Sequence, residues 1–397
     1  MNREDFPMLK NDLIYFDSGA TSLKPNCVIE SISDYYKNYS ANSHRGDYDI
    51  SLKVDKMLDD TRCKVKDFIN ASDSKEIIFT SGTTESMNMI IFGFMKNYLK
   101  KGDEVLITKT EHASNVLPWF ILEKEIGIKV NYIPLIDNKV TIDKVKESIN
   151  NNTKVISLAW ITNTIGDVRP IKEITKLAHD NNILVVIDGA QSVPHIKTDV
   201  IDTDIDFLAF SAHKMLGPTG VGILYGKFKY LNNLVPINYG GGMNSFFESD
   251  KTYELKELPQ RLEAGTINLS NILAFSKAID YLNNIGMEKI EKYEKDLKKY
   301  LINKLKEIDN VEIYNEDTDS GIVLFNIKNI FSEDTSNYLN HYHICVRAGN
   351  HCAKMVKDEL IIKNTCRISL YLYNTKEEID KFIEIMKGNK EIFKVIL

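Results

Sequence analysis

Apolar runs that alternate with amphipathic stretches dominate the first two thirds of the chain. The most apolar runs are centred on Val105, Val155, Leu184 and Phe207, and helical spacing of apolar positions separates them. Short, continuously apolar strands joined by helices are typical of a parallel sheet covered on both faces. The pattern over residues 74–225 therefore predicts an α/β fold with a mostly parallel sheet wrapped by helices.

The pattern changes after Gly286 to a smaller α+β arrangement, which begins with a helix over 287–308. We therefore predict a large domain over residues 15–286 and a small C-terminal domain over 287–397 that includes residues 1–14. Residues 240–260 show no clear period and predict an irregular excursion.

Composition narrows the class of protein. The chain has 397 residues, 43% of them hydrophobic, and a net charge of −6, which argues against non-specific binding to nucleic acid. No apolar run is long enough for a membrane span, and the charged N-terminus lacks the pattern of a signal peptide. The five cysteines show no pairing pattern, which fits a reducing compartment, so we expect a cytoplasmic protein.

Lys214 is the leading catalytic candidate. It lies in Ser211–Gly220, a stretch rich in small residues that follows the apolar run Ile205–Phe210, and no Asp, Glu, Lys or Arg occurs near it between Asp206 and Lys227. Such surroundings desolvate an amine, lower its pKa and make it nucleophilic towards aldehydes.

Asp188 ends a second apolar strand that begins at Ile183. Ligands of open α/β sheets bind at this end of the strands, and a buried carboxylate there needs a cationic partner. Together Asp188 and Lys214 suggest pyridoxal 5'-phosphate, with the lysine bound to the aldehyde and the aspartate keeping the ring nitrogen protonated. An ordinary lysine and a helix-capping aspartate are the alternative at this point.

A phosphate cradle is predicted at Thr80–Ser86, which follows the strand Ile77–Thr80 and opens a helix to about Leu99. Backbone N–H groups at the start of a helix bind phosphate readily. The same residues are also typical of a plain helix start, with Glu85 in the first turn.

Motifs along nearly the whole chain resemble the class V aminotransferase-like, fold-type I pyridoxal phosphate enzymes, and within them the group II cysteine desulfurases and their selenocysteine lyase relatives. The matching segments, in order, are Tyr15–Thr21, His44–Gly46, Gly82–Glu85, Glu111–His112 with Pro118–Trp119, Asn163 with Gly166, Asp188–Gln191, Ser211–Gly220, Glu263–Thr266, Arg347–Cys352, and Arg367 with Tyr373–Thr375. The resemblance implies a homodimer that uses pyridoxal 5'-phosphate.

The resemblance also implies roles for the cofactor residues. His112 would stack on the pyridine ring, and Gln191 would bind the phenolic oxygen. The residues implied to bind the cofactor are Thr83, Thr84, His112, Asn163, Asp188, Gln191, Ser211, His213, Lys214 and, from the neighbouring subunit, Thr266. Of these, Thr84, Ser211 and His213 would hold the phosphate.

For the substrate, L-cysteine or L-selenocysteine, the implied residues are His44, Asn163, Arg347 and Arg367. The implied catalytic residues are Lys214, His112 and Cys352. Cys352 would be a nucleophile on a mobile loop, with Arg347 and His351 favouring its thiolate. Its persulfide would pass sulfur to an acceptor protein for iron–sulfur cluster or related assembly, and alanine would leave.

A zinc site competes for one segment, because strand alternation would put His341, His343, Cys345 and Arg347 on one face. Two histidines and one thiolate in succession along a strand surround a tetrahedral ion poorly, and the chain has no Cys-x-x-Cys pair. We therefore predict no metal site. Cys345 is alternatively interpreted as a cysteine packed in the core.

Departures from the family pattern occur at Asn350, Lys354, Met355 and Tyr48, on the expected substrate side of the pocket. They leave open a selenocysteine lyase, an amino-acid epimerase or an aminotransferase. A non-catalytic protein on the same scaffold is the remaining alternative, and every cofactor residue named above argues against it.

Overall fold

The structure, a computed structural model, describes residues 2–43, 46–389 and 392. The strands of these residues are, in chain order, β1 (Ile14–Tyr15), β2 (Ile77–Thr80), β3 (Glu104–Ile107), β4 (Lys129–Tyr132), β5 (Thr153–Ala159), β6 (Leu184–Asp188), β7 (Phe207–Ser211), β8 (Gly222–Gly226), β9 (Asn244–Phe247), β10 (Tyr253–Leu255), β11 (Val311–Ile313), β12 (Ile322–Ile327), β13 (Ile344–Cys345), β14 (Arg347–Gly349) and β15 (Thr365–Ser369). Of the predicted site residues, His44 lies outside the described residues.

Helices cover both faces of the main sheet and one face of a smaller one. They are α1 (Asn26–Asn38), α2 (Asp49–Phe68), α3 (Thr83–Asn88), α4 (Lys96–Tyr98), α5 (Leu117–Ile126), α6 (Ile142–Ser148), α7 (Ile171–Asp180), α8 (Val200–Thr203), α9 (Phe228–Leu231), α10 (Leu269–Ile285), α11 (Met287–Leu305), α12 (Ser332–His341), α13 (Val356–Leu360) and α14 (Lys376–Lys387). A π-helical stretch over Met89–Met95 joins α3 to α4, so the helix predicted after the phosphate cradle is one continuous helical segment.

The main sheet has seven strands in the order β2-β8-β7-β6-β5-β3-β4. The run from β7 to β4 is parallel throughout, and only β8 is antiparallel to its neighbours. Strands β6 and β7 are buried along their whole length. Burial on both faces explains why they read as continuous apolar runs. The predicted α/β fold with a mostly parallel sheet is confirmed.

Candidate site residues lie at the neighbouring ends of strands β5, β6 and β7. Ala159 at the end of β5 pairs with Asp188 at the end of β6, and Asp188 pairs with Ala209 in β7. The carboxyl ends of parallel strands share one edge of the sheet, where open α/β folds bind ligands. The turn that carries Lys214 leaves β7 at this edge.

A second, antiparallel sheet has the order β11-β12-β15-β14 and packs against α11, α12 and α14. The N-terminal segment joins this part of the molecule, because Ile14 in β1 pairs with Ile344 in β13 and Phe16 packs edge-on against Phe382. The grouping of residues 1–14 with the C-terminal part stays a prediction, because Phe6 packs edge-on against Tyr281 of α10. The boundary between residues 286 and 287 stays a prediction.

The segment over residues 240–260 differs from its predicted irregular form. It contains an antiparallel hairpin of β9 and β10. Nearly all side chains of these strands are exposed in the single chain, so no alternation of buried and exposed positions marks them in the sequence.

The predicted single strand through His341–Arg347 is wrong. His341 ends helix α12, His343 has a positive φ of 58°, and β13 begins only at Ile344. The two histidines and Cys345 therefore do not share one strand face, and the geometry assumed for the zinc alternative is absent.

Candidate active site

A cavity of about 180 Å³ lies at the carboxyl ends of β5, β6 and β7. Its lining residues are Gly19, Ala20, Thr83, Thr84, His112, Ser114, Ala159, Ile161, Asn163, Asp188, Ala190, Gln191, Ser211, His213, Lys214 and Arg347. Ten of these were predicted as site residues from the sequence. The fold therefore gathers residues from nearly the whole chain at the one sheet edge where a ligand is expected.

Lys214 ends a short turn, Ala212–Lys214, immediately after β7. Desolvation by its surroundings lowers the pKa of the Lys214 amine to about 8, although nearby Asp188 opposes this, and the guanidinium groups of Arg367 and Arg347 lower it further. A substantial fraction of the amine is therefore uncharged near neutral pH and able to attack a carbonyl carbon.

Asp188 lies at the floor of the cavity and is almost completely buried. Its Oδ1 accepts a hydrogen bond of 3.0 Å from the Ala190 N–H, and burial raises the pKa of the carboxyl group. A cationic donor placed here would stabilise the carboxylate, which is what a protonated pyridine nitrogen offers.

Two amide side chains that line the cavity have unpaired oxygens. Gln191 donates through Nε2 to the Gly19 carbonyl at 2.7 Å, and Asn163 donates through Nδ2 to the His351 carbonyl at 2.6 Å. The Oε1 of Gln191 and the Oδ1 of Asn163 are buried without a partner among the described residues. Orphaned polar atoms in a cavity indicate a polar ligand, and together with Asp188 they fit pyridoxal 5'-phosphate.

The end of the cavity near α3 is lined with hydroxyl groups. The Ser211 hydroxyl accepts from the Thr83 N–H at 2.7 Å and lies 2.6 Å from the Thr83 hydroxyl, while Thr84 Oγ1 lies 2.8 Å from Ser114 Oγ. These hydroxyls and the N–H groups at the start of the helix suit a phosphate. Burial and the charges of nearby lysines lower the pKa of His213, at the same end, to about 4.

His112 is uncharged in this setting. Burial, with the positive charges of Lys214, Arg347 and Arg367, lowers the pKa of His112 to about 4. Its Nδ1 accepts a hydrogen bond from the Ser114 N–H at 3.1 Å, which assigns the ring proton to Nε2. A neutral imidazole of fixed orientation can stack on a flat ring and can exchange a proton.

Two arginines of the second sheet reach towards the cavity from adjacent strands. Arg347 in β14 and Arg367 in β15 are direct partners in the antiparallel register. Arg367 is fully buried, donating to the Asn163 carbonyl at 2.8 Å and to Asp17 Oδ1 at 2.7 Å. Only Arg347 lines the cavity itself. Two neighbouring guanidinium groups favour an anion such as a carboxylate.

Cys352 lies on an exposed loop just outside the cavity lining. Arg347 Nη2 contacts its Sγ at 3.2 Å, and the Cys352 carbonyl accepts from the Ala113 N–H at 2.9 Å, next to His112. His351 and Cys352 both have positive φ values, 52° and 61°. Such backbone conformations are rare outside glycine and cluster at functional sites.

His351 differs from its predicted role. Its ring is buried and contacts the Thr365 hydroxyl through Nε2 at 2.9 Å. Burial, with the charges of Arg367 and Arg347, lowers the pKa of His351 to about 3. A neutral imidazole supplies no positive charge, whereas the charged side chain of Arg347 contacts Cys352 Sγ directly.

Thr266 lies outside the cavity of its own chain. Its hydroxyl is 3.5 Å from Asn42 Nδ2 beside a separate surface depression. The single chain thus leaves Thr266 free for a contact with a second copy.

A buried ion pair behind the cavity was missed in the sequence. Arg169 and Glu111 are both fully buried and form a short contact, and Glu111 Oε2 also accepts from the Ala159 N–H at 2.7 Å. Glu111 immediately precedes His112, so the pair fixes the segment that carries this ring. No local pattern marked Arg169, because its partner lies on a distant segment.

No group of three or more histidine, cysteine, aspartate or glutamate side chains in residues 2–43, 46–389 and 392 is arranged to hold a metal ion. No helix in the same part of the chain is long and apolar enough to cross a membrane.

Known proteins resemble this chain over almost its whole length. The model of the family "Aminotransferase class-V" matches residues 14–382. The probable cysteine desulfurase of Halalkalibacterium halodurans is 40% identical over 98% of this chain and 97% of its own chain. The cysteine desulfurase of Haloferax volcanii is 39% identical over 96% of this chain and 90% of its own chain.

Two solved structures have the same fold throughout. The apo cysteine desulfurase of Thermococcus onnurineus NA1 superposes with a TM-score of 0.93 at 35% identity, covering 98% of this chain and 96% of its own. The S-sulfonic acid form of the cysteine desulfurase CsdA of Escherichia coli superposes with a TM-score of 0.92 at 32% sequence identity, and the match covers 98% of each chain. The chain therefore belongs to the class-V aminotransferase family, among the cysteine desulfurases.

Proposed function

We propose that this enzyme uses pyridoxal 5'-phosphate to convert L-cysteine to L-alanine and carries the released sulfur as a persulfide on Cys352. The proposal rests on two nucleophilic side chains that lie at or next to the same cavity. Lys214 lines the cavity, and Cys352 contacts Arg347, which lines it too. An enzyme that only moved protons or amino groups would not need the second nucleophile.

His112 would stack on the cofactor's ring, Asp188 would pair with the ring nitrogen, and Gln191 would hydrogen-bond the phenolic oxygen. Its phosphate would lie against Thr84, Ser211 and His213, and Asn163 would lie beside ring and substrate. Thr83 would contribute its hydroxyl group, since its N–H donates to Ser211 Oγ. When bound, the cofactor supplies an electron sink for the carbon that loses its α-proton.

The substrate carboxylate would bind near Arg347 and Arg367, because a planar guanidinium group can donate two parallel hydrogen bonds to a carboxylate. The two guanidinium groups lie on adjacent strands at the same register. Lys214 would take the α-proton, a role that its pKa of about 8 permits near neutral pH. His44 remains a proposed substrate residue, outside the described part of the chain.

Cys352 would take the sulfur atom as a thiolate. A sulfur–sulfur bond to Cys352 forms as the carbon–sulfur bond of the substrate breaks, and the three-carbon product leaves as alanine after it gains a proton. Arg347 Nη2, 3.2 Å from Sγ, would hold the sulfur next to the cavity that Arg347 lines. The thiol is exposed, so an acceptor protein can collect the sulfur at the surface.

A homodimer is part of the proposal. Thr266 lies away from its own chain's cavity, and the hairpin β9–β10 exposes Phe246, Phe247 and Tyr253. A second copy would cover such apolar surface and receive Thr266 at its phosphate. We also propose the cytoplasm as the location, since a reducing compartment would keep the five free cysteines reduced.

The test is intact-mass analysis after brief exposure to L-cysteine. The wild type should gain a reductant-sensitive sulfur adduct and release alanine, and Cys352→Ser should gain none while retaining the bound cofactor's visible absorption. Cys63→Ser is the matched control, because Cys63 is also a free, exposed cysteine but lies in α2. Full desulfurase activity in Cys352→Ser, or no adduct on the wild type, would overturn the proposal.

A further inference from the structure

The segment Asp17–Lys24, which begins with a turn, contacts three functional elements that come from distant parts of the chain. We infer that this segment positions the Lys214 turn and the Arg367 guanidinium relative to each other, with Lys24 and Asp17 as the positioning residues at its two ends. The inference rests on the proposed function, in which Lys214 binds the cofactor and Arg367 the substrate carboxylate.

At one end, the segment surrounds the carbonyl oxygen of His213, the residue before Lys214. This oxygen accepts hydrogen bonds from the Ser22 N–H at 2.9 Å, the Ser22 hydroxyl at 3.1 Å, the Thr21 hydroxyl at 3.0 Å and the Lys24 ammonium at 2.9 Å. A backbone carbonyl has two lone pairs, so four donors are more than it normally receives. The peptide between His213 and Lys214 is therefore anchored from outside its own turn.

A second contact fixes the same turn beyond the lysine. The Ser22 hydroxyl accepts from the Leu216 N–H at 2.8 Å, and Leu216 has a positive φ of 65°. A leucine rarely adopts this conformation, which persists only where surrounding contacts hold it. The turn around Lys214 is thus held on both sides by residues of one short segment.

Lys24 makes its contacts with neutral oxygens only. Its ammonium donates to Thr21 Oγ1 at 3.2 Å, to the His213 carbonyl and, in a short contact, to the Ser22 carbonyl. Among the ion pairs of the described residues none involves Lys24, and burial lowers the pKa of its amine to about 8. Lys24 is half-buried, and an ammonium that loses part of its water and gains no carboxylate costs free energy. We therefore expect Lys24 to serve the Lys214 turn rather than the overall stability of the fold.

At the other end, Asp17 holds Arg367. Its Oδ1 accepts from Nη2 at 2.7 Å, while Nη1 is occupied by the Asn163 carbonyl at 2.8 Å. The Nε of Arg367 is buried without a partner in the described structure. The segment is itself fixed to β15, because the Gly19 N–H donates to the Ser369 hydroxyl at 2.7 Å. Asp17 therefore sets the plane in which the guanidinium can meet a carboxylate.

The middle of the segment contacts the third element. The Gly19 carbonyl accepts from Gln191 Nε2 at 2.7 Å, and both Gly19 and Ala20 line the cavity. A Cβ on Gly19 would lie 3.1 Å from two guanidinium atoms of Arg367, so the backbone passes very close to that side chain. One short stretch of chain thus spans the distance from the cofactor lysine to the substrate arginine.

The experiment compares Lys24→Met with Asp17→Asn in the full-length enzyme. Lys24→Met should raise the dissociation constant for pyridoxal 5'-phosphate about tenfold and shift the bound cofactor's absorption band, with KM for L-cysteine changed by less than about twofold. Asp17→Asn should raise KM about tenfold and leave the cofactor affinity and absorption band within about twofold of wild type. Lys24→Arg, which keeps the charge, should recover part of the cofactor affinity.

Lys298→Met is the matched control for a general loss of stability. Lys298 also donates to main-chain carbonyls, those of Asn315 and Thr318, but it is fully buried where Lys24 is half-buried, and it lies away from the cavity. It should lower the thermal midpoint without changing cofactor affinity. The inference would be overturned if Lys24→Met and Lys298→Met changed cofactor affinity equally. It would also be overturned if Lys24→Met and Asp17→Asn changed KM equally. An inactive wild type would instead refute the proposed function.

Discussion

The substitution Arg169→Met should destabilise the enzyme strongly, because it breaks the buried ion pair behind the cavity. Besides Glu111, the guanidinium donates to the Ala159 carbonyl at 3.0 Å and to the hydroxyls of Thr108 and Thr110 at 2.8 Å each. Methionine keeps much of the apolar stem but none of these donors. The Glu111 carboxylate, whose side chain is 0% exposed, would then lack its counter-charge.

The size of the effect follows from the burial. Removing one partner of a fully buried ion pair costs about 3–5 kcal/mol. An unfolding entropy of about 2.1 cal/mol/K per residue gives roughly 0.8 kcal/mol/K for 397 residues that unfold together, so each kcal/mol lowers the midpoint by about 1.2 °C. The thermal midpoint of Arg169→Met should therefore fall by about 4–6 °C.

The assay is thermal unfolding followed by circular dichroism, at one protein concentration and with excess cofactor. Lys176→Met is the control, because Lys176 and Asp180 form an exposed pair at 2.7 Å in α7, and its midpoint should change by about 1 °C or less. The double variant Glu111→Gln/Arg169→Met removes both charges and should recover part of the loss. A midpoint of Arg169→Met no lower than that of Lys176→Met would refute the reasoning.

Three further results are expected. Desolvation, with the charges of Arg367 and Arg347, lowers the pKa of Lys214 to about 8. The rate of cofactor binding to the apoenzyme, measured by stopped flow, should therefore rise as pH increases through 8 and then level off. A rate that continues to rise to pH 9.5 would contradict this. Asp188→Asn should lower kcat by about 10- to 1,000-fold, since the ring nitrogen would lose its anionic partner, and steady-state kinetics at saturating cofactor measures the loss. Thr266→Val should weaken cofactor binding in the dimer, measured by equilibrium dialysis, whereas unchanged binding would exclude a contact across the interface.

The sequence was sufficient to predict the main sheet and much of the cavity lining. Fully buried parallel strands leave continuous apolar runs, and Lys214 and Asp188 stand at the ends of such runs, where the fold places ligands. Both signals are local, so they can be read without knowing the tertiary contacts.

Other features depend on partners far apart in the chain and could not be predicted. The Arg169–Glu111 contact joins residues 58 positions apart, and the contact between Arg367 and Asp17 joins residues 350 apart. The state of His351 was predicted incorrectly for the same reason, since burial removes its charge. The hairpin β9–β10 escaped prediction because an exposed ribbon imposes no alternation on its sequence.

The pairing of β1 with the C-terminal part of the chain has a consequence for biosynthesis. Ile14 pairs with Ile344, and Asp17 pairs with Arg367. At about 5–20 residues per second, the ribosome needs roughly 20–70 s to add the 350 residues that separate Asp17 from Arg367. During that interval the apolar N-terminal strand has no native neighbour, so the nascent chain depends on chaperones or on transient contacts until its last elements emerge.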